Sequence, residues 1–312
     1  MITFGPIPSR RLGKSLGINN IPSQKICSYS CVYCQVGITK KYSTTRVSFY
    51  KPSVIFDEVK KHLCHIKEND IPDYLTFVSN GEPTLDISIG ESIDKLKSIG
   101  IPIAVITNAS LLSIPEVRDD LNKADWVSVK VDSGNENVWK EINRPHADLN
   151  FNEYKNGLRL FAKEFRGKLN TETMLVKGIN DHIEQLQETA QLIKEIKPNI
   201  SYISIPTRPP ALKWVNKPNE KSINEAYHIF ADNQLNPELI LGFEGTNTGF
   251  TGNAIEDIIN ICSVHPIRED TMKELLRKNQ ADPTILDTLV TNKYIQKVEY
   301  KSNIFYIRKF LI

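Results

Sequence analysis

Three of the chain's five cysteines fall within eight residues, in the segment Cys27-Ser28-Tyr29-Ser30-Cys31-Val32-Tyr33-Cys34. An odd count with one tight cluster does not suit a disulfide framework, which is usually even-numbered and belongs to small secreted domains. Three thiolates on one short loop can instead converge on a soft metal centre. Structural zinc normally takes four ligands, as two pairs separated by a longer stretch. Here the remaining cysteines, Cys64 and Cys262, lie in helical patterns. A three-thiolate set suits a four-iron cluster with one iron left open to bind a cofactor or substrate. Structural zinc with a fourth ligand elsewhere stays open on this evidence, as does a set of thiols acting as small core hydrophobes.

The elements around the loop alternate strand and helix. Tyr74–Ser79, Ile101–Thr107, Trp126–Val131, Leu169–Val176, Ser201–Ile205 and Leu239–Phe243 read as short buried strands. Helical spacing separates them: Ile55, Val59, Leu63 and Ile66; Ile89, Ile93 and Leu96, closed by Gly100; then Pro115–Leu121, Asn152–Lys163 and Ile183–Lys197. About six strand–helix units between Ser15 and Phe243 predict an α/β fold, a partial (β/α)6-type open TIM barrel over residues 1–245. Barrels place their chemistry at the C-terminal ends of the strands. The residues just past those ends are therefore the candidates: Gly81, Glu82, Pro83 and Thr84; Asn108; Lys130 and Asp132; and Arg208. Singly, each has a plain reading as a turn, a helix-terminal acid, a cap or a solvated strand end. Arg10 and Arg11 are candidate anion contacts, with Lys177 less compelling, and Arg208 suits a substrate carboxylate or phosphate. From about Gly252 the alternation gives way to Ala254–Ile261, Asp270–Asn279 and Pro283–Asn292 as helices. Gln296–Tyr300 and Phe305–Phe310 follow as strands. Three helices and a hairpin are the winged-helix order, so residues 252–312 are expected to form a small winged-helix domain after the linker Thr246–Gly252.

The Cx3Cx2C spacing, with aromatic Tyr33 before the last cysteine, resembles the signature of the radical S-adenosylmethionine (SAM) superfamily. The resemblance implies one [4Fe–4S] cluster on Cys27, Cys31 and Cys34, with SAM chelating the open iron. Reductive cleavage would then give a 5′-deoxyadenosyl radical that abstracts hydrogen from a substrate. Tyr33 would lie near the adenine. Asn80-Gly81-Glu82-Pro83-Thr84 looks like the motif that meets the SAM amino group, Asn108 takes the place of a ribose contact, and Met174–Asp181 is similar to the segment beside the adenine. Lys130 and Asp132 would reach ribose or substrate. The segments Phe4–Ile18 and Lys25–Gly37 resemble a wyosine-synthase-like group of this superfamily. True wyosine synthases carry a second cluster on upstream cysteines, and this chain has no cysteine before Cys27. The expectation is a relative with a different reaction, on RNA, peptide or small molecule, supplied by an external one-electron donor of flavodoxin or ferredoxin type.

With 40% hydrophobic and 24% charged residues the composition is that of a globular protein. A net charge of +2 is too small to argue for nucleic acid by itself. No apolar run long enough to span a bilayer and no secretory leader are evident, so a cytoplasmic protein with no membrane partner is expected. The rival reading is an iron–sulfur winged-helix regulator that binds nucleic acid. An enzyme needs the strand-end polar residues; a sensor does not.

Overall fold

A computed structural model describes residues 2–22, 24–66, 70–242 and 245–309. The chain opens with an antiparallel hairpin, β1 (Thr3–Ser9) and β2 (Gly13–Ile18). In its turn the Ser9 hydroxyl accepts from the amides of Arg11 and Leu12, each at 3.2 Å. Two short parallel strands, β3 (Ile26–Cys27) and β4 (Lys41–Tyr42), bracket the cysteine loop. The alternation then runs α1 (Pro52–Cys64), β5 (Tyr74–Phe77), α2 (Ile89–Leu96), β6 (Ile103–Thr107), α3 (Pro115–Leu121) and β7 (Trp126–Lys130). It continues through α4 (Glu136–Asn143), α5 (Phe151–Glu164), β8 (Lys168–Met174), α6 (Ile183–Ile196), β9 (Ile200–Ser204), α7 (Glu220–Asp232) and β10 (Pro237–Ile240).

The large sheet has the order β1-β2-β5-β6-β7-β8-β9-β10, and every pair from β2 onward is parallel. Strand order follows sequence order, and β1 and β10 are its two edges. The sheet is therefore an open half-barrel, with six helical crossovers between β2 and β10. Its core joins strand residues such as Leu16, Ile18, Leu75, Phe77, Val105, Val127 and Val129 to helical Ile55, Val59, Ile89, Ile93, Phe161 and Ile193. Apolar strands covered by amphipathic helices are what a parallel sheet requires. Side-chain caps start the helices that lack an apolar lead: Asn135 accepts from Asn137 and Val138 before α4, and Asn150 accepts from Asn152 and Glu153 before α5. Gly100, at φ 83°, ends the turn after α2 as the sequence predicts.

The C-terminal residues form α8 (Ala254–Val264), β11 (Ile267–Arg268), α9 (Glu269–Lys278), α10 (Thr284–Thr291), β12 (Ile295–Tyr300) and β13 (Asn303–Arg308). The three strands make an antiparallel sheet of order β11-β13-β12. Phe243 and Phe310, at the ends of two expected strands, lie outside the described residues. The core of this C-terminal part includes Ile258, Ile261, Met272, Leu275 and Ile295, and it also takes in Phe4 and Ile7 from β1. The linker packs closely on the same hairpin. Gly249 donates its amide to the Pro6 carbonyl at 2.5 Å, where a Cβ would meet the proline ring at 2.3 Å. No helix among the described residues is long and apolar enough to cross a membrane.

Candidate active site

Cys27 ends β3, and Cys31 and Cys34 lie on the loop that follows, so one short segment brings three sulfurs to the end of the half-barrel. Each sulfur meets a nitrogen donor. Lys25 Nζ lies 3.1 Å from Cys34 Sγ, Asn108 Nδ2 3.5 Å from Cys27 Sγ, and Asn143 Nδ2 3.4 Å from Cys31 Sγ. The Tyr29 amide also points at Cys27 Sγ, at 3.5 Å. All five cysteines are free thiols. Burial pushes the Cys27 thiol up to about 12, with Lys25 opposing, and burial together with Asp132 does the same to Cys31. Burial works against the charge on Lys25, but the sulfurs of Cys34, Cys27 and Cys31 outweigh it and hold the ammonium above its usual value. Thiols buried beside a cation and amide donors release their protons when a metal centre binds. Among the described residues, no three His, Cys, Asp or Glu are gathered to hold a single ion. The sulfurs line one end of a cavity of about 240 Å³, together with Gly81, Glu82, Asn108, Tyr33, Lys130, Glu172 and Arg208. A multi-iron cluster fills a volume rather than a point, and this donor set fits one.

The segment after β5 sets the cavity's floor. Gly81 passes so close to β3 that a Cβ would sit 1.8 Å from the Ile26 carbonyl oxygen. The Glu82 amide donates to that same oxygen at 3.1 Å. The Glu82 carboxylate is buried and saturated. It accepts from the Thr84 amide (3.1 Å) and hydroxyl (2.7 Å), the Thr107 hydroxyl (2.6 Å) and the Asn108 amide (2.7 Å). Burial raises its pKa, and these hydrogen bonds oppose the rise. Glu82 thus ties the end of β5 to the end of β6 and aims Asn108, whose Nδ2 also donates to the Ser28 hydroxyl at 2.9 Å. Pro83 and Thr84 do not reach the cavity. They form a buried 3-10 turn, in which the Pro83 carbonyl accepts from Asn20 at 3.0 Å.

The opposite wall is charged. Lys130, at the end of β7, donates to Glu172 at 2.8 Å and lies 5.2 Å from the centre of the Tyr33 ring. Glu172, on β8, also pairs with Arg11 and accepts from Ser204 at 3.1 Å. Burial lowers the Lys130 pKa, while Asp132 raises it. Arg208 reaches Gln35 Oε1 at 2.6 Å. Asp132 departs from the strand-end expectation, because its carboxylate faces inward and away from the cavity. It accepts from the Tyr33 hydroxyl, from Asn143 Nδ2 at 2.7 Å and from the Met174 amide at 2.8 Å. It orients Tyr33 and Asn143, and Asn143 in turn meets Cys31.

Lys25, Asn143, Gln35 and Glu172 were not among the sequence candidates. Glu172 carried a signal: a charged residue inside a buried parallel strand needs a partner. The other three give none, since their roles depend on long-range packing. The C-terminal part closes one side of the mouth. Gln35 Nε2 donates to the Val264 carbonyl at 2.9 Å, and Tyr300 and Lys301 donate to the Pro206 carbonyl at 3.3 and 3.0 Å.

A model of the radical SAM superfamily matches residues 21–228. A UPF0026 protein of Methanocaldococcus jannaschii is 44% identical over 311 residues, covering 98% of this chain and 96% of its own. A UPF0026 protein of Synechocystis is 34% identical over 211 residues, covering 67% and 77%. Among solved structures, a radical SAM methyltransferase from Sphaerobacter thermophilus shares the fold at TM-score 0.51 and 13% identity, over 73% of this chain and 66% of that one. The matched span holds the three-cysteine loop and strands β5 to β9, and on that ground the chain belongs to the radical SAM superfamily and is a radical SAM enzyme.

Proposed function

We propose that Cys27, Cys31 and Cys34 hold one [4Fe–4S] cluster, that SAM binds beside it, and that the substrate lies against Lys130, Glu172 and Arg208 in the same cavity. One observation carries this reading. Three sulfurs, each met by a nitrogen donor, face a space walled by the C-terminal ends of the barrel strands. With its cluster and SAM bound, such a site supplies a 5′-deoxyadenosyl radical for hydrogen abstraction.

The chain's residues do the positioning. Gly81 and Glu82 hold the floor, Asn108 and Tyr33 present polar and aromatic contacts to SAM, and Pro83 and Thr84 shape the turn beneath. Val78, Ile106, Met174 and Ile205 line the cavity with apolar surface that excludes water. Lys130 and Arg208 are the substrate-side groups, and Asp132 acts through Tyr33. An external flavodoxin or ferredoxin supplies electrons. We read residues 1–245 as the barrel domain and 252–312 as a winged-helix-like domain seated at its mouth. On the strength of Phe4–Ile18 and the cysteine loop, we place the chain near the wyosine-synthase-like group, with one cluster and a different reaction.

Anaerobic reconstitution followed by SAM and dithionite tests this. The wild type is expected to bind about four irons and release 5′-deoxyadenosine. Cys27→Ala, Cys31→Ala and Cys34→Ala should each lose both properties. A cysteine variant that kept full iron and cleaved SAM would overturn the assignment.

A further inference from the structure

Outside the cavity, the cysteine loop is covered by a thin, basic face. Ile38, Lys40, Lys41 and Tyr42 lead into and form β4, and Arg144 follows α4; all are exposed and none belongs to the cavity lining. The two large apolar side chains among them, Ile38 and Tyr42, are 59% and 40% exposed. A single strand separates this face from the nearest cysteine. Lys41 pairs with Ile26 and Tyr42 with Cys27, and neighbouring strands lie about 4.8 Å apart. The Ser43 amide donates to the Cys27 carbonyl at 3.2 Å. Lys25 Nζ donates to the carbonyl of Gly37, next to Ile38, at 2.5 Å and reaches Cys34 Sγ at 3.1 Å. Ser30, inside the cysteine loop, joins the two stretches. Its hydroxyl accepts from the Thr39 amide at 3.0 Å, and its amide donates to the carbonyls of Asn143 and Arg144 at 3.0 and 3.1 Å. Among the described residues Lys40, Lys41 and Arg144 make no ion pair. Of the exposed acids near Arg144 in the chain, Glu141 and Asp148, the second lies 3.4 Å from His146.

We propose that this face docks an acidic one-electron carrier protein, with Lys40, Lys41 and Arg144 meeting its carboxylates and Ile38 and Tyr42 packing between them. The assignment rests on the reading of Cys27, Cys31 and Cys34 as cluster ligands. One electron leaves the reduced group of the carrier and one enters the cluster; no bond forms or breaks. Electron transfer weakens steeply with distance, so a carrier gains by docking where one strand covers the ligand sulfurs. Apolar and aromatic contacts inside a charged rim are the ordinary make-up of such an interface, and opposite charge speeds the encounter. Docking here also leaves the cavity lining to SAM and substrate. Three cations are few for a polyphosphate strand, whose binders make several more phosphate contacts.

The test uses the anaerobically reconstituted protein with a flavodoxin, an acidic flavoprotein, as the probe. Calorimetry with oxidised flavodoxin reads docking. Stopped-flow bleaching of the cluster absorbance by reduced flavodoxin reads electron delivery, and dithionite, which needs no docking, supplies the reference rate for each variant. Lys40→Glu combined with Lys41→Glu should weaken binding, and slow the flavodoxin rate relative to dithionite, by at least about tenfold at low ionic strength. High salt should narrow the gap. Lys221→Glu combined with Lys273→Glu makes the same charge change at exposed positions on α7 and α9 and should alter neither reading by more than about twofold. Equal losses in that control pair would overturn the proposal, because net charge and not this face would then set the rate. Unchanged binding and rate in the Lys40 and Lys41 variant would overturn it too, and weaker binding of a single-stranded RNA probe in that variant would give the face to nucleic acid. Wild type that dithionite reduces, but that neither flavodoxin nor a ferredoxin binds or reduces, sinks the docking face alone. Wild type that takes up no cluster on reconstitution sinks the reading of the cysteines and this proposal with it.

Discussion

Replacing Gly81 by alanine tests how the floor of the site is built. The new Cβ would lie 1.8 Å from the Ile26 carbonyl oxygen and 2.8 Å from its carbon, whereas ordinary contact begins at 3.4 Å. Both atoms are backbone, so no side chain can swing aside, and the two segments must part by more than an ångström. Parting them breaks the bond from the Glu82 amide to Ile26 and carries the adjacent Cys27 with it. Forced overpacking costs about 1–3 kcal/mol, and the lost hydrogen bond adds about 1 kcal/mol. A total of about 2–4 kcal/mol is a large part of the stability of an ordinary domain. Denaturant unfolding of the metal-free protein reads the first effect, and iron per chain after anaerobic reconstitution reads the second. Both should fall. Gly242→Ala is the control, since a Cβ there meets nothing within 4 Å. A Gly81→Ala protein within about 0.5 kcal/mol of wild type and with full iron would refute the close-approach argument.

Other outcomes follow from the same geometry. Tyr29→Phe removes the buried acceptor of the Trp139 indole N–H at 2.9 Å and should cost about 1–3 kcal/mol, with iron content unchanged; loss of iron would mean that Tyr29 does more than pack. Burial lifts the Asp86 carboxyl to about 6, against hydrogen bonds from the Ser88 amide and Asn20. A carboxyl raised in the folded state favours folding while protonated, so that contribution is present below the ordinary aspartate range and is lost as pH climbs to about 6. The stability of wild type relative to Asp86→Asn should drop by about 1–3 kcal/mol between about pH 4 and 6, and a flat difference would contradict the shift. Lys25→Met removes a cation and a donor from Cys34 and should lower the cluster's reduction potential while iron is retained; spectroelectrochemistry decides. Cys64→Ala, at an exposed position, should change stability by less than about 0.5 kcal/mol and leave iron untouched.

Much of this could be read in advance where local pattern and tertiary role coincide. Strands β5, β6 and β7 are short, largely apolar runs that the barrel buries, and α3 begins at its proline, as the sequence predicts. The cysteine loop announced itself because three ligands of one type sit within reach of each other along the chain. The β1–β2 hairpin did not: two prolines and three glycines hide its strands, and its register shifts between Phe4 and Ile7. Helix α4 escaped because eight residues bury only Trp139, Ile142 and Asn143, too few to show a period. The inward turn of Asp132 was equally hidden. Its partners Tyr33, Asn143 and Met174 come from three separate stretches, and no spacing rule joins them.

The first hairpin belongs to two hydrophobic interiors at once. Ile2 beside it and Leu16 and Ile18 of β2 pack into the half-barrel, while Phe4 and Ile7 of β1 pack among α8, α9 and β13. Gly17 leaves the room that the Phe4 ring occupies. Cutting the chain before Asn253 would uncover both side chains on a strand whose other neighbours stay in place, leaving a greasy edge of the kind that self-associates. The β1–β2 hairpin and the part from α8 to β13 are thus joined into one cooperative unit, and melting of either should drag the other with it.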